Sequence, residues 1–394
     1  MNMDTFRTGP LADAIAEAEK LIAEAPHIET DQDLAEGLDY LSGLIRASIQ
    51  AATARDRDFP YLIHSATAQT KIGLDNPDTV YLSAAVRDDR EYIVTGCRGT
   101  AADLNFQVLG GDYNADGSPA SLAAFDDRVL EIGRDGQFEM RFGPARAGAP
   151  PGYVGLEPGA TRLLVRECFS DWETERRGTL RIRRADPDGL APSPVSLESM
   201  SKRYAAAGKA LVQQVRAFLA FPEWFYLNLP VNTLTEPRLT PGGLATQYSS
   251  VGHFDLADNQ AMIVTVPVSD APYHGFQVGS MWYISLDYIN HQTSLTSAQA
   301  RHDPDGMIRY VIADRDPGLT NWLELTGHRR GYLQMRWQRL SRELTSTDGP
   351  QVEVHSFEEL PSKLAFYEEA RVDRSGWQER ITARQAAVAN RMLG

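Results

Sequence analysis

The spacing of short β-prone runs between turn residues constrains this chain most. Val80 to Val86, Glu91 to Gly96, Leu104 to Leu109, Val129 to Ile132, Phe138 to Phe142, Arg162 to Phe169 and Gly178 to Arg183 are each bounded by Gly, Pro, Asp or Asn. Runs of that kind read as strands. A close series of them closes into a sandwich or jelly roll, because each strand has one apolar face to bury. A second series extends from Thr246 to about Val354, with strands expected near Gln247 to Phe254, Ala261 to Pro267, Met281 to Tyr288, Ile308 to Ala313 and Gly331 to Arg339. Each series holds an apolar strand that runs into an arginine: Leu163-Leu164-Val165-Arg166 and Tyr332-Leu333-Gln334-Met335-Arg336. That coincidence is too slight to establish a repeat.

Helical periodicity flanks both series. Leu11, Ile15, Ala18 and Ile22 recur at helical spacing, and Leu34, Leu38, Leu41, Ile45 and Ile49 form a second stripe that Thr30 or Asp31 can cap. Met200, Tyr204, Leu211, Val215, Phe218 and Leu219 line a third helix, which Pro222 is expected to close. Ser375 and Gln378 suit a capping box for a last helix carrying Ile381, Val388 and Met392. The expected organisation is mainly β, with two tandem antiparallel sandwich or jelly-roll-like domains. N-terminal helices span 1–57, a first sandwich 58–185, and a linker with a helix 186–243. A second sandwich spans 244–356 and C-terminal helices 357–394. The Pro- and Ser-rich stretch from Asp186 to Ser196 is the best linker.

Composition narrows the function classes. With 394 residues the chain can bury a core in each of two domains. Its formal net charge of -14 disfavours a nucleic-acid partner, which needs a clustered cationic surface. The run of arginines at Arg176-Arg177 and Arg181 to Arg184 alternates like a solvated strand face. Cys97 and Cys168 form neither a zinc spacing nor a disulfide scaffold. Met1 to Pro10 lacks the pattern of a secretory signal, and no run is long enough for a membrane span. The expectation is a cytoplasmic protein, a homo-oligomer with no membrane partner and a small-molecule ligand.

Two motifs carry a family resemblance. Asp75-Asn76-Pro77-Asp78-Thr79-Val80-Tyr81, with Leu104-Asn105-Phe106-Gln107-Val108 downstream, resembles the Asn-x-Asp-Thr-x-Tyr motif of domain of unknown function 1254. Trp282-Tyr283-Ile284-Ser285-Leu286-Asp287 resembles domain of unknown function 1214. So does the segment from the Asp305-Gly306 hairpin through Asn321-Trp322-Leu323 to the strand bearing Arg336. The resemblance covers residues 60 to 340 in patches and implies paired bacterial β-sandwiches with helical additions. It implies no chemistry, and Gly327-His328-Arg329-Arg330-Gly331 departs from the Pro- or Lys-containing turn of many relatives.

The candidate site residues are polar and aromatic groups on turns between strands, where scaffolds place binding groups. Asp78 and Tyr81 either shape a turn or stand at the mouth of a cavity, with Asn76 beside them. Asn321 either bridges loop backbones or binds a ligand hydroxyl, and Trp322 anchors its loop or walls a pocket. His328, beside two arginines, should hold a neutral imidazole and suits a general base. Arg336, if it points inward, needs a carboxylate from Asp287 or from substrate, because a lone buried charge is costly. Tyr283 and Asp287 share one strand face in this reading, with His291 nearby. These residues fit a cofactor-independent lyase, isomerase or hydrolase acting on a small, largely apolar, oxygen-bearing molecule. His328, Asp287, Asp78 and Tyr81 would be catalytic, and Asn76, Tyr283, His291, Asn321, Trp322 and Arg336 would bind substrate. The alternative is a non-catalytic small-molecule-binding or assembly protein. A lesser alternative is an iron- and 2-oxoglutarate-dependent oxygenase, with His253, Asp255 and His328 as ligands and Arg339-Leu340-Ser341 nearby.

Overall fold

The computed structural model describes residues 7–54, 56–111, 119–186, 191–240, 244 and 246–393. The expected linker at 186–196 falls partly outside them, as do the ends of the chain and residues 241–243. Two helices come first: α1 (Gly9–Ala23), then α2 (Asp31–Thr53), which Thr30 caps by accepting from the Asp33 amide. The first β unit holds β1 (Ile63–Ala66), β2 (Thr79–Ala85), β3 (Tyr92–Cys97), β4 (Asp103–Gly110), β5 (Ala120–Asp126), β6 (Gln137–Pro144), β7 (Tyr153–Leu156), β8 (Arg162–Cys168) and β9 (Thr179–Arg184). After α3 (Leu197–Phe225), the second unit holds β10 (Arg238–Leu239), β11 (Tyr248–Asp255), β12 (Gln260–Pro267), β13 (Tyr273–Gly279) and β14 (Ser294–Thr296). It continues with β15 (Met307–Ala313), β16 (Trp322–Glu324), β17 (Arg330–Gln338) and β18 (Gln351–Ser356). A short α4 (Leu360–Lys363) and a long α5 (Arg374–Leu393) close the chain.

The two units are copies of one fold. The first has sheets ordered β1-β2-β8-β4-β5 and β7-β6-β3-β9; the second has β10-β11-β17-β13-β14 and β16-β15-β12-β18. Each strand of the second unit takes the place of the one nine earlier in the chain. Residue identities follow at a fixed interval of 170: Phe106-Gln107-Val108 and Phe276-Gln277-Val278 occupy β4 and β13, and Arg166 and Arg336 occupy β8 and β17. The hairpins before β6 and β15 turn on Gly136 (φ 79°) and Gly306 (φ 80°), a backbone region that glycine adopts without penalty. Not every pairing is antiparallel, since β6–β7 and β15–β16 run parallel.

Alternation explains how each sandwich forms. In the first unit Val80, Leu82, Phe106, Val108, Leu163 and Val165 meet Val94, Phe138, Met140 and Phe142 from the opposite sheet in one core. Met262, Val264, Phe276, Val278, Leu333, Met335 and Trp337 do the same in the second. The intervening residues of the five-stranded sheets are polar, and strand periodicity alone would assign them to solvent. Instead Asp103, Asn105, Gln107, Gln277, Gln334, Arg336 and Gln338 are buried. The two five-stranded sheets turn these faces toward each other, with α3 and the segment from Ile72 to Asp78 closing the side.

Several expectations are corrected here. Met281 to Tyr288 is not a strand; Tyr273–Gly279 is, and Ser280 to Tyr283 form a tight turn with Tyr283 at φ 58°. Val129 to Ile132 holds no strand either, because Asp126 caps a short 3-10 turn at Asp127–Val129. Pro222 lies inside α3, which continues to Phe225 because Phe221 and Phe225 pack ring on ring at 4.6 Å. The last helix begins two residues earlier than the proposed capping box places it, and Asp373 accepts from the Gly376 amide.

Candidate functional site

A cavity of about 190 Å³ lies between the two sandwiches. Strands β2, β8 and β17 and helix α3 wall it, together with the segment 72–76. Its polar wall contains Arg162, Arg166, Arg336, Asn76, Tyr81 and Gln338, and its apolar wall contains Leu74, Leu164, Phe218, Phe221 and Leu244. Asp75 is the one acidic side chain among these described lining residues, against three arginines. A chain of net charge -14 therefore turns a cationic cavity inward.

Each sandwich supplies an equivalent arginine on an equivalent support. Arg166 donates from Nη1 to Gln107 Oε1 at 2.9 Å. Arg336 donates from Nη1 to Gln277 Oε1 and from Nη2 to the Leu74 carbonyl at 2.7 Å. Arg336 is only 6% exposed, and its hydrogen-bond acceptors are neutral. Its counter-charges are Asp75 and Asp78, which it acts on through space. Burial raises both carboxyls above the ordinary carboxylate range, with Lys71 opposing at Asp75 and the Tyr273 hydrogen bond opposing at Asp78. Asp75 accepts from the Ser285 amide (3.0 Å) and hydroxyl (2.9 Å), which fixes its carboxyl at the wall.

The Asp75–Tyr81 segment is a structural latch as much as a wall. Asn76 donates from Nδ2 to Tyr273 Oη (2.7 Å), and Tyr273 donates to Asp78 Oδ2 (2.7 Å), joining the two sandwiches. Trp172 Nε1 donates to the other Asp78 oxygen at 3.0 Å. Both Asp78 oxygens are thus engaged behind the cavity, so the expected catalytic Asp78 is placed as an interdomain tie. Tyr81 Oη accepts from the Asn76 amide at 2.9 Å, which leaves its proton to donate toward the cavity. Burial pushes this phenol up to about 12, so at neutral pH it is a donor and not a base. Tyr283 also lines the cavity; it donates to Tyr226 Oη (3.1 Å), which donates to Gln334 Oε1 (3.1 Å). Gln338, 2% exposed, donates to Gln247 Oε1, while its own Oε1 has no hydrogen-bond partner among the described residues. An orphan acceptor in a cavity wall is a place for a ligand hydroxyl or amine.

Asn76, Tyr81, Tyr283 and Arg336 come together in this cavity, and the remaining candidates do not. His328 Nε2 bonds Glu36 Oε2 at 2.8 Å and its Nδ1 meets the Leu325 carbonyl at 2.7 Å, tying α2 to the turn before β17. The flanking arginines do not keep it neutral. Burial lowers its pKa, but the hydrogen bond and charge of Glu36 outweigh burial and raise it. Asp287 does not pair with Arg336; its carboxylate accepts from the Ile289 and Asn290 amides in a turn. His291 pairs with Glu324 at 2.8 Å. Asn321 bridges the Arg301 and Arg309 backbones, and Trp322 donates to the Ala313 carbonyl while packing on Trp377. The rival metal set is dispersed. His253 bonds the Leu229 carbonyl and Asp255 bonds Arg329. His328 bonds Glu36, and among the described residues no three His, Cys, Asp or Glu side chains gather to hold a metal.

Sequence reasoning passed over Asp75, Arg166, Gln338 and the aromatic pair Phe218 and Phe221. Arg166 and Arg336 were visible as matching ends of two apolar strands, and Gln107 and Gln277 as the centre of a repeated Phe-Gln-Val. No local pattern marks Gln338 or the α3 aromatics, because their role arises only when the two sheets meet.

No family model matches the chain. No curated protein matches it either. Among solved structures, it is similar to an uncharacterised protein from Burkholderia cenocepacia, 28% identical, with a TM-score of 0.80 over 90% of this chain and 98% of that one. The paired-sandwich architecture is shared along nearly the whole of both chains. A protein from Vibrio parahaemolyticus matches at 11% identity and a TM-score of 0.47, over 86% of this chain and 99% of that one. Among the described residues no helix is long and apolar enough to cross a membrane.

Proposed function

We propose that the cavity between the sandwiches binds a small organic anion, with a carboxylate as its head group and an apolar body against Phe218 and Phe221. The observation that carries this reading is the pair of equivalent arginines, each held by a glutamine from the neighbouring strand and each set in the wall of one cavity. A guanidinium offers paired donors that match a carboxylate. Arg336 has only neutral hydrogen-bond acceptors, so an anionic ligand would supply a direct counter-charge to a buried cation. Tyr81 would add a neutral donor, and Gln338 would receive a donor from the ligand. Kinship with the paired domains of unknown function 1254 and 1214 belongs to this proposal, since both resembling segments contribute wall residues.

The test is ligand-induced thermal stabilisation across a panel of small carboxylates, followed by titration calorimetry on the best. Arg336→Met is expected to weaken binding about tenfold to a hundredfold, as loss of a charge-assisted hydrogen bond implies. His328→Ala serves as a control that costs stability without changing affinity. If no carboxylate stabilises the protein, or if Arg336→Met binds as wild type does, the reading fails.

One observation favours a second reading, a cofactor-independent lyase, isomerase or hydrolase. Asp75 stands at the same wall with its carboxyl raised by burial, as a general acid or base requires. Incubation with a metabolite extract distinguishes the two. Mass changes that disappear in Asp75→Asn would support catalysis, and an unchanged extract would favour binding alone.

A further inference from the structure

A second cavity of about 170 Å³ lies next to the first, between α2, α3 and the β1–β2 edge. Ser65, Ile72, Arg162 and Gln214 line both, so Arg162 and Gln214 form a neck between two chambers. The far chamber differs in chemistry from the near one. Ala47 and Ala51 from successive turns of α2, and Ala54 at its C-cap, line it together with Ala210 of α3 and Ala84 of β2. Small side chains from three elements leave the volume that larger ones would fill.

Two polar atoms indicate that this volume is meant for more than packing. Ser48 is among the residues that line the far chamber, is 2% exposed, and its Oγ has no hydrogen-bond partner among the described residues. Gln214 Oε1, at the neck, is likewise buried without one. In a helix a serine hydroxyl ordinarily bonds back to a carbonyl one turn earlier, as Thr53 does to Ile49 at 2.9 Å. An unsatisfied buried hydroxyl costs stability unless something in the cavity meets it.

We propose that the two chambers form one elongated site for an extended monocarboxylic acid. The carboxylate sits between Arg166 and Arg336, and the chain passes Arg162 and Gln214 into the alanine-lined chamber. A hydroxyl or carbonyl along the chain meets Ser48. The inference rests on the anion-binding reading and deepens it by naming the ligand class.

Titration with straight-chain monocarboxylates from acetate to decanoate tests it. Each methylene that enters the far chamber should tighten binding about fourfold, the equivalent of about 0.8 kcal/mol. The gain should stop when the chamber is full. Ala51→Phe, which fills the far chamber, should abolish the gain for long chains and leave the affinity for acetate unchanged. Ala47→Leu should shorten the longest chain accepted, and it guards against misfolding of the bulkier variant, with circular dichroism confirming the fold of each. If carboxylates bind but affinity is flat with chain length, or if both variants weaken short and long acids equally, the elongated site is refuted and the head-group reading stands. If no acid binds, both fall.

Discussion

His274 shows how one residue can lie against the interest of the fold. It alternates with Tyr273 and Gly275, so β13 geometry sends it to the core face, where it stacks on Trp337 with ring centroids 4.9 Å apart. It is fully buried, and neither ring nitrogen has a hydrogen-bond partner among the described residues. Burial first, and the charge of His302 second, push its pKa down to about 3. The sign of the pH effect follows from linkage. The unfolded chain binds a proton as pH falls below the ordinary histidine value of 6.5, whereas the folded chain resists until about pH 3. Stability is therefore full above pH 6.5 and is lost as pH falls through that window. His274→Phe keeps the ring contact and removes both unpaired nitrogens. It should raise stability by about 1 kcal/mol at pH 7 and by about 2 kcal/mol more at pH 5. Denaturant unfolding of both proteins at the two pH values checks this, and equal curves at pH 5 would show that the imidazole is not held neutral.

At the level of the element, β13 carries a close approach between the two sandwiches. A Cβ on Gly275 would lie 2.3 Å from Tyr273 Oη and 2.6 Å from Asp78 Oδ2. The equivalent position in the first sandwich, 170 residues earlier, is Asn105. The two copies thus share a topology but divide the labour at their contact: one offers a side chain, the other an absence of one. Gly275→Ala should break the Tyr273–Asp78 bond and cost about 1–3 kcal/mol by overpacking. Separate melting of the two units in the variant, against one transition in wild type, would identify the bond as the coupling between them. A stability equal to wild type would show that the contact relaxes freely. The elements themselves were largely legible, since β2, β3, β11, β12, β15 and β17 coincide with periodic apolar runs. Strand β13 was missed because Tyr273-His274-Gly275 reads as a turn. The stretch Met281 to Tyr288 was misassigned because its apolar residues go to different places: Trp282 and Ile284 pack with α1 and α2, Leu286 joins the core of the second sandwich and Tyr288 that of the first.

The whole molecule is a duplicated sandwich whose two polar sheet faces meet, and that meeting creates the cavity. Polar residues on the outer face of a strand look like solvent contacts from sequence, so the burial of Asn105, Gln107, Gln277 and Gln334 was not legible. Nor was the shared destination of Arg166 and Arg336, although their repeated setting was. Asn76 and Tyr81 were identified from turn chemistry, Tyr283 from an expected strand face and Arg336 as an inward charge at the end of an apolar strand. His328, Asp287 and Asn321 were drawn from the same segments, but their hydrogen bonds hold turns together. The additional arginines Arg384 and Arg391 of α5 stack on Trp172 from 4.4 Å each, and Arg391 donates to the Pro77 carbonyl at 2.6 Å. The C-terminal helix therefore fastens the latch behind the cavity. Arg336→Met leaves Gln277 Oε1 and the Leu74 carbonyl without their donor and takes a facing cation from Asp75 and Asp78. It is therefore expected to cost stability, and its affinity is read on protein whose fold circular dichroism confirms. The most direct measurement compares a carboxylic acid with its own primary amide by titration calorimetry, in wild type and in Arg336→Met. Recognition by paired arginines predicts that wild type prefers the carboxylate by about tenfold to a hundredfold and that the variant loses most of this preference. Equal affinity for acid and amide in wild type would contradict it.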